Sequence, residues 1–233
     1  MRTSRGISST CAAAAAIGYA ESVRGLFITF EGVEGVGKST QIAHAAAHLR
    51  RRGLEPVVTR EPGGTALAEK LRALVLEHGH GSVSPAAELL IYFAARASHV
   101  DELIRPALAA GRCVLCDRFT DATEAYQGSG RGISVAWIRE LAGIAHPDLT
   151  PDLTFVFDAP AAVSAARLAG RGAGHDRIES EDAAFFGRVR AAYAAIAARE
   201  PARVHVVDAT RAEAEIAAEV ARVVDERLPA AVH

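Results

Sequence analysis

The fold of this chain is decided by the stretch Phe30-Glu31-Gly32-Val33-Glu34-Gly35-Val36-Gly37-Lys38-Ser39-Thr40-Gln41. It follows an apolar run, Leu26 to Phe30, and opens a segment that can form a helix. Glycines at this spacing let backbone N–H groups turn inward around phosphate oxygens, and the following helix points its positive end at the same anion. The stretch therefore predicts a phosphate-binding P-loop between a strand and a helix, with a nucleoside triphosphate as ligand.

Two side chains at the end of this stretch have separate predicted tasks. Lys38 can reach the outer phosphates, and the Ser39 hydroxyl can ligate a magnesium ion that keeps water and phosphate oxygens as its other ligands. Only two lysines occur in the chain, which uses arginine in their place elsewhere, so lysine is retained at position 38. The predicted nucleotide contacts are Gly32, Val33, Glu34, Gly35, Val36, Gly37, Lys38, Ser39 and Thr40. The alternative is a glycine-rich turn before a core helix.

Composition narrows the class of protein. With 233 residues, half of them apolar, the chain can bury one substantial core without a disulfide or a structural metal. A formal net charge of -2, with arginines spread along the sequence, predicts no nucleic-acid partner. Three cysteines are too few for a secreted disulfide framework and favour a reducing, cytoplasmic compartment.

Two of the cysteines form the pattern Cys113-x-x-Cys116, which also occurs in redox and zinc sites. Here the pattern lies in the apolar run Cys113-Val114-Leu115-Cys116, which is typical of a buried strand. The two side chains would then point to opposite faces of a sheet. We therefore predict core cysteines.

Residues 1–24 differ in composition from the rest of the chain. They contain Arg2, Arg5, a serine cluster and an alanine run from Ala12 to Ala16, with no acidic residue before Glu21. A targeting segment is one interpretation, but the apolar part is short and weak for a signal peptide. We predict a disordered or mis-started extension. No other stretch approaches the ~18 apolar residues of a membrane span, so no membrane partner is expected.

From residue 25 onward the sequence predicts a single domain in which short strands alternate with helices. The predicted strands are Leu26 to Phe30, Pro56 to Thr59, Arg112 to Cys116, Leu153 to Phe157 and Val204 to Val207. The predicted helices include Glu69 to Leu76, Ala86 to Ala110, Ala183 to Arg199 and Ala212 to Arg227. Connections of this length favour parallel pairing with helices on both faces. The expected architecture is a three-layer α/β/α sandwich around a parallel five-stranded sheet.

Charged residues follow the predicted strands, where ligands of such sheets bind. Glu34 lies in the loop after the first strand, Arg60 after the second, Asp117 and Arg118 after the third, and Asp158 after the fourth. Asp117 stands where an acid faces a P-loop magnesium ion, although a helix N-cap is the alternative. Arg118 offers a planar fork for a phosphate group, and a structural salt bridge is its ordinary alternative.

Seven ordered motifs carry a resemblance to one family. They are Phe30-Glu31-Gly32 with the P-loop, Thr59-Arg60-Glu61-Pro62-Gly63-Gly64-Thr65, Tyr92-Phe93-Ala94-Ala95-Arg96, Asp117-Arg118-Phe119, Ala125-Tyr126-Gln127-Gly128 with Gly130-Arg131-Gly132, Pro151-Asp152-Leu153, and Asp176-Arg177-Ile178-Glu179. From Leu26 onward the chain resembles the bacterial thymidylate kinases. The resemblance implies transfer of a phosphoryl group from ATP to dTMP with Mg²⁺. It also implies a homodimer that uses the helix predicted for Ala86 to Ala110.

Other activities compete with this one. Another nucleoside monophosphate kinase would share most of these motifs. A P-loop ATPase or GTPase switch would lack a dedicated acceptor site and a lid, and the sequence has no guanine-reading Asn-Lys-x-Asp segment. A catalytically silent binding protein would be expected to have lost Lys38, Asp117 or a lid arginine, all of which are present.

The resemblance implies a role for each acceptor-side residue. Tyr92 and Arg96, one helical turn apart, would stack on thymine and donate to a pyrimidine carbonyl, although a tyrosine at this spacing is more often a core residue. Arg60 and Arg118 would lie near the acceptor phosphate, with Glu34 close to the same phosphate and the sugar 3′-hydroxyl.

A second group of acceptor residues would close over the base and the deoxyribose. It consists of Thr123, Tyr126 and Gln127. Tyr126 would stand where a 2′-hydroxyl projects, which gives a steric preference for deoxynucleotides. The alternative is a surface loop with a packed tyrosine.

The resemblance also implies a lid at about residues 167–178 that closes over ATP, and an adenine contact at residues 208–210. Gly35 stands where one subgroup of the family carries an arginine. The catalytic arginine is therefore expected from the lid, which carries Arg171 and Arg167. Solvated charge is the alternative for both. The predicted catalytic set is Lys38, Arg171, Arg167, Asp117 and Glu34.

Overall fold

The computed structural model describes residues 24–77, 83–170 and 177–228. The predicted N-terminal extension, residues 1–24, lies outside the described residues except for Arg24. Arg171, the predicted lid arginine, also lies outside them. Within the described ranges the chain has the predicted α/β architecture.

A five-stranded parallel sheet forms the centre of the molecule. Its strands are β1 (Phe27–Glu31), β2 (Val57–Arg60), β3 (Val114–Asp117), β4 (Leu153–Asp158) and β5 (Val204–Asp208). The strand order is β2-β3-β1-β4-β5, and every neighbouring pair is parallel. Because β1 is central, the loop that follows it emerges between the ends of β3 and β4, where the strand order reverses and ligands of such sheets bind.

Helices connect these strands and cover the sheet. They are α1 (Lys38–Arg51), α2 (Ala66–Leu76), α3 (Pro85–His99), α4 (Arg105–Ala109), α5 (Thr120–Thr123), α6 (Val135–Ala145), α7 (Ala161–Ala169), α8 (Ala183–Arg199) and α9 (Glu213–Asp225). Two π-helical segments, Val100–Ile104 and Glu124–Gly130, join α3 to α4 and extend α5. Among the described residues, no helix combines the length and the apolar character needed to cross a bilayer.

The two faces of the sheet pack against different helices. Ile28 and Phe30 of β1 belong to a core cluster with residues of α1 and α9. Phe27, which points the other way, packs with residues of the first π-helical segment and α4. Residues of α8 cover the same second face over β4 and β5. The arrangement confirms the predicted three-layer sandwich.

All five strands end one residue later than predicted, at Glu31, Arg60, Asp117, Asp158 and Asp208. The prediction placed each end where the apolar run stops. In the sheet, Phe30 and Arg60 are both in register with Asp117, and Asp158 is in register with Asp208. Backbone pairing thus continues for one residue beyond the apolar core, and it fixes the polar side chains at the edge of the sheet.

The single helix predicted for Ala86 to Ala110 is wrong in detail, because π-helical turns at Val100–Ile104 interrupt it. The Arg105 N–H bonds to the carbonyl of Val100, five residues earlier. Pro106 follows directly and has no N–H for an α-helical bond, which favours a local change of register. Helix α2 begins before the predicted Glu69, because the hydroxyl of Thr65 caps its N-terminus.

The two described cysteines are core residues, as predicted. Cys113 packs in the cluster on the α1 and α9 face, and Cys116 packs in the cluster on the α4 face. Both are buried free thiols. Burial raises the pKa of the Cys116 thiol well above its ordinary value, so this thiol stays protonated and unreactive.

Candidate nucleotide-binding site

The loop between β1 and α1 has the backbone of a phosphate cradle. Gly32, Gly35 and Gly37 have φ angles of 128°, 77° and 94°, a region that side-chain-bearing residues rarely adopt. A Cβ at Gly35 would also lie 2.3 Å from the carbonyl oxygen of Ser164. The left-handed Gly37 is the N-cap of α1 and has no side chain to cap the helix, so the N-terminal N–H groups face the loop.

Carbonyl groups of this loop hold the Lys38 side chain in place. Its Nζ donates to the carbonyl oxygens of Gly32 at 3.2 Å and Val33 at 3.1 Å. Burial and the nearby positive charge of Arg118 lower the pKa of Lys38. A bound phosphate group would bring further negative charge close to this buried ammonium and favour its charged form.

One cavity of about 540 Å³ joins the loop to the ends of the strands. Most of the predicted site residues line it: Glu34, Gly35, Gly37, Lys38, Ser39, Thr40, Arg60, Tyr92, Arg96, Asp117, Arg118, Thr123, Tyr126, Gln127 and Arg167. Three predicted loop contacts, Gly32, Val33 and Val36, do not line the cavity. The structure thus brings both halves of the predicted site into one space.

Asp117 ends β3 beside the loop, and one of its carboxylate oxygens has no partner in the described part of the chain. Its Oδ1 is buried and makes no hydrogen bond to any described residue. The alternative role as a helix N-cap is wrong, since α5 begins at Thr120 and is preceded by Phe119 as its N-cap. A buried carboxylate oxygen without a donor is costly unless a cation or a water occupies the space beside it.

Arg118 and Glu34 form the centre of a network. Arg118 Nη2 donates to Glu34 Oε1 at 2.7 Å, and its Nη1 donates to the Gly32 carbonyl at 2.9 Å. The hydroxyl of Tyr126 donates to both oxygens of Glu34, and the Arg118 guanidinium lies 4.7 Å from the centre of the Tyr126 ring. The ion pair offered as the alternative for Arg118 is therefore present, and its partner is another predicted site residue.

Arg96 is almost fully immobilised. Its Nε donates to Glu61 Oε2 at 2.6 Å, and its Nη2 donates to the Phe119 carbonyl and to Thr123 Oγ1. The rings of Phe93 and Phe119 lie 4.9 and 5.1 Å from its guanidinium carbon. Nη1 is buried and has no partner among the described residues. A residue that lines the cavity thus has one buried donor group without an acceptor among the described residues.

The other acceptor-side residues differ in how freely they face the cavity. Tyr92, on the same helix as Arg96, is half-buried. Gln127 is buried and donates through Nε2 to Glu88 Oε1 at 2.9 Å, which leaves its amide oxygen for a ligand. Arg60 is exposed and paired with Glu69.

Arg167, in the last turn of α7, donates through Nη1 to the carbonyl of Ala209 at 2.9 Å. Ala209 lies in the loop predicted to hold the adenine. In this structure Arg167 therefore joins the start of the predicted lid to that loop.

Three buried carboxylates near the site were given no predicted role: Glu31 and Glu61 lie within the quoted motifs, and Glu88 lies outside them. Glu31 accepts from the Tyr193 hydroxyl and the Phe119 N–H, both at 2.7 Å. Burial and the charge of Asp121 raise the pKa of Glu31 to about 8. Glu61 joins Arg96 to a buried histidine, and Glu88 accepts from the side chains of Gln127, Arg131 and Arg177. A charged residue within or beside an apolar run was the available signal in each case.

A P-loop that shares one cavity with an aromatic side chain and a fixed arginine is typical of a phosphotransferase of the nucleotide kinase class. Comparison with known proteins specifies the family. A sequence model described as "Thymidylate kinase" matches residues 30–220. The chain belongs to the thymidylate kinase family.

Individual relatives agree with this assignment. The thymidylate kinase of Pseudomonas fluorescens is 52% identical over 205 residues, which cover 88% of this chain and 95% of that protein. The thymidylate kinase of Pseudomonas putida strain GB-1 is 55% identical over 187 residues, or 80% of this chain and 89% of that protein. A crystal structure of thymidylate kinase from Ehrlichia chaffeensis superposes with a TM-score of 0.69 at 34% identity, and the match covers 86% of this chain and 99% of that one.

Proposed function

We propose that this chain phosphorylates dTMP to dTDP with ATP, as a step in the synthesis of dTTP, and that both substrates meet in the cavity described above. The observation that carries the proposal is the continuity of that cavity, which the phosphate loop lines at one end and Tyr92 and Arg96 line at the other. Two residues that line it, Arg96 and Asp117, each have a buried polar atom, Nη1 and Oδ1, with no hydrogen-bond partner in the described part of the chain. A carbonyl of a pyrimidine base requires a donor such as Arg96 Nη1. A magnesium ion bound to phosphate requires an oxygen ligand such as Asp117 Oδ1.

On the donor side, the inward N–H groups of the P-loop hold the triphosphate and Lys38 stabilises charge on the transferred group. The residues fit Mg²⁺, because the Ser39 hydroxyl lies in the first turn of α1 and the Asp117 carboxylate has an unpaired oxygen. The ion would neutralise charge on the phosphate oxygens. Arg171 and Arg167 of the lid, residues 167–178, complete this side.

On the acceptor side, Tyr92 stacks on thymine and Arg96 Nη1 donates to a carbonyl of the base. Arg60 and Arg118 hold the acceptor phosphate in line with the ATP γ-phosphate, while Glu34 fixes Arg118 and Tyr126. Thr123 orients Arg96, and Gln127 lines the wall beside the base. Tyr126 occupies the space of a 2′-hydroxyl. Transfer needs no covalent intermediate, since these residues align the two phosphates and stabilise the charge that develops between them.

A coupled assay of ADP release tests this activity. It compares dTMP with dUMP, dCMP, dGMP, AMP, UMP and no acceptor, in the presence of ATP and Mg²⁺. Strong dependence on dTMP is the expected result. Hydrolysis that needs no acceptor would instead indicate a switch NTPase, and a preference for another monophosphate would indicate a neighbouring kinase.

Replacing Tyr92 with alanine is expected to raise the KM for dTMP without changing the KM for ATP. A stacked base contributes roughly 1–3 kcal/mol, which corresponds to an increase in KM of about 5- to 150-fold. Tyr92→Phe is the matched control, since it keeps the ring. If Tyr92→Ala left the KM for dTMP unchanged, Tyr92 would be a core residue with no contact to the base.

We also infer that the protein is a homodimer, because three neighbouring helices expose large apolar side chains. These are Leu67 and Leu74 on α2, Leu90 on α3, and Trp137 and Ile144 on α6, with exposed fractions from 45% to 78%. Helix α3 packs against both α2 and α6. Apolar side chains seven residues apart on a helix share one face, which suits a helix-to-helix interface.

Sedimentation velocity tests the dimer. The wild-type chain is expected to sediment as a dimer and Ile144→Asp as a monomer, because the substitution places a charge in the apolar contact. Val206→Asp is the matched control, since Val206 is half exposed on β5, away from these helices. A monomeric wild type, or a dimer that survives Ile144→Asp, would contradict this interface.

The cytoplasm is the proposed compartment. Both described cysteines are unpaired and buried, as a reducing environment allows.

A further inference from the structure

Glu61 is a buried carboxylate that the proposed mechanism does not use directly. It lies in the loop after β2, is 4% exposed, and bridges two residues of α3. Oε2 accepts from Arg96 Nε at 2.6 Å, and Oε1 is 2.9 Å from His99 Nδ1. Burial alone would raise the pKa of Glu61, but the charge of Arg96 and the hydrogen bond from His99 lower it below its ordinary value. Glu61 is therefore an anion between two donors.

His99 is fixed on its other side as well. A carboxylate only accepts, so His99 Nδ1 must be the donor to Glu61. Its Nε2 lies 2.7 Å from the hydroxyl of Thr59, which donates to it when the ring is neutral. A Cβ at Gly64 would lie 2.5 Å from the His99 ring, so the backbone of the loop packs directly on the imidazole. Thr59, His99 and Glu61 thus form a continuous hydrogen-bonded chain that ends at Arg96.

We propose that Glu61, braced by His99, is a positioning residue for acceptor recognition: it fixes the guanidinium of Arg96 so that Nη1 is the donor presented to the base. The inference rests on the proposed contact between Arg96 and the base. The Phe93 and Phe119 rings hold the faces of the guanidinium, and the Phe119 carbonyl and Thr123 hold Nη2. Among the described residues only Glu61 accepts from Nε, so it fixes the rotation of the guanidinium in its own plane together with the two acceptors of Nη2.

The first test is Glu61→Gln, with steady-state constants measured for both substrates. A neutral amide cannot accept from Arg96 and His99 as an anion does. We expect the KM for dTMP to rise about 10- to 100-fold, the effect of losing a hydrogen bond between charged groups, while kcat at saturating dTMP changes less than about threefold. Loss of packing alone would lower the amount of active enzyme and leave the KM unchanged.

The chain offers a matched control in Glu219. This carboxylate also bridges a histidine and an arginine, with Oε1 2.7 Å from His205 Nε2 and Oε2 2.5 Å from Arg211 Nη1, but it lies on α9 outside the cavity. Glu219→Gln is expected to lower thermal stability without changing the KM for dTMP. An equal rise in KM in both variants would overturn the proposal.

A double-mutant cycle separates this inference from the role of Arg96 itself. If Glu61 acts through Arg96, Glu61→Gln adds no further rise in KM when Arg96 is already alanine. Additive effects would mean that Glu61 acts by another route. An unchanged KM in Arg96→Ala would remove the proposed base contact, whereas a raised KM in Arg96→Ala with an unchanged KM in Glu61→Gln would overturn only the positioning role.

Variants of His99 test the same positioning role if Glu61→Gln fails to fold. In His99→Asn the amide nitrogen can replace Nδ1 as donor to Glu61, and in His99→Leu no donor remains. The KM for dTMP is expected near the wild-type value in His99→Asn and several-fold higher in His99→Leu. Equal KM values in the two variants would show that the hydrogen bond from His99 to Glu61 has no effect on the position of Arg96.

Discussion

Replacing Arg171 with alanine is expected to lower kcat by about 10³-fold or more while the KM for dTMP changes little. A cationic side chain over the transferred phosphoryl group stabilises charge that develops only in the transition state, so its loss acts on kcat. Arg171 lies outside the described residues, and its role rests on resemblance. The described part of the P-loop favours it, because Gly35 has a φ of 77° and a Cβ there would lie 2.3 Å from the Ser164 carbonyl. The P-loop therefore has no room for an arginine at this position.

Arg167→Ala is the control that shows whether the loss of kcat is specific to Arg171. Arg167 donates to the Ala209 carbonyl, so its loss is expected to raise the KM for ATP about tenfold, the effect of one charged hydrogen bond, with a smaller change in kcat. Rapid-quench measurement of single turnovers separates chemistry from product release. Wild-type turnover in Arg171→Ala, or a larger loss in Arg167→Ala, would move the catalytic role from Arg171 to Arg167. Adding Gly35→Arg to Arg171→Ala is not expected to restore activity.

The fold could be predicted from the sequence because its determinants are local. Short apolar runs separated by helix-length segments specify parallel strands with crossovers, and the glycines between Gly32 and Gly37 specify the phosphate loop. The ends of the strands could not be located, since backbone pairing of Arg60 and Asp117 continues after the apolar pattern stops. The π-helical turns at Val100–Ile104 also escaped prediction, because a change of helical register leaves little trace in apolar spacing.

The candidate site likewise has a part that could be predicted from the sequence and a part that could not. The sequence predicted that residues of the P-loop and of the strand ends lie together, because motif and topology place them at one edge of the sheet. The partners that fix them were missed, because those contacts join distant parts of the chain: Glu31 bonds to Tyr193, and Arg96 bonds to Glu61. Tyr193 lies in an alanine-rich helix whose pattern indicates only a buried face. Pairing between buried polar groups is set by tertiary geometry, and one sequence does not encode it in any local pattern.

Lys38→Ala is expected to lower kcat/KM for ATP by about 10²- to 10³-fold, as the loss of one preorganised donor to the reacting group does. The ammonium is buried and, within the described residues, donates to two carbonyls, and burial lowers its pKa. The triphosphate would replace these weak partners with full negative charge, so a large part of its interaction with the protein passes through this one group. The measurement is ADP release over a range of ATP concentrations at saturating dTMP.

The sequence supplies its own control, because Lys70 is the only other lysine. It is exposed on α2 and does not line the cavity, so Lys70→Ala is expected to keep wild-type kinetics. Lys38→Arg tests why lysine is retained here in a chain that uses arginine elsewhere. Nζ fits between carbonyls 3.1 and 3.2 Å away, a space for a compact ammonium that a planar guanidinium exceeds. Lys38→Arg is therefore expected to be nearly as impaired as Lys38→Ala. Near-normal activity of Lys38→Arg would show that a positive charge is sufficient to bind the phosphates and that the compact shape of the ammonium is not required.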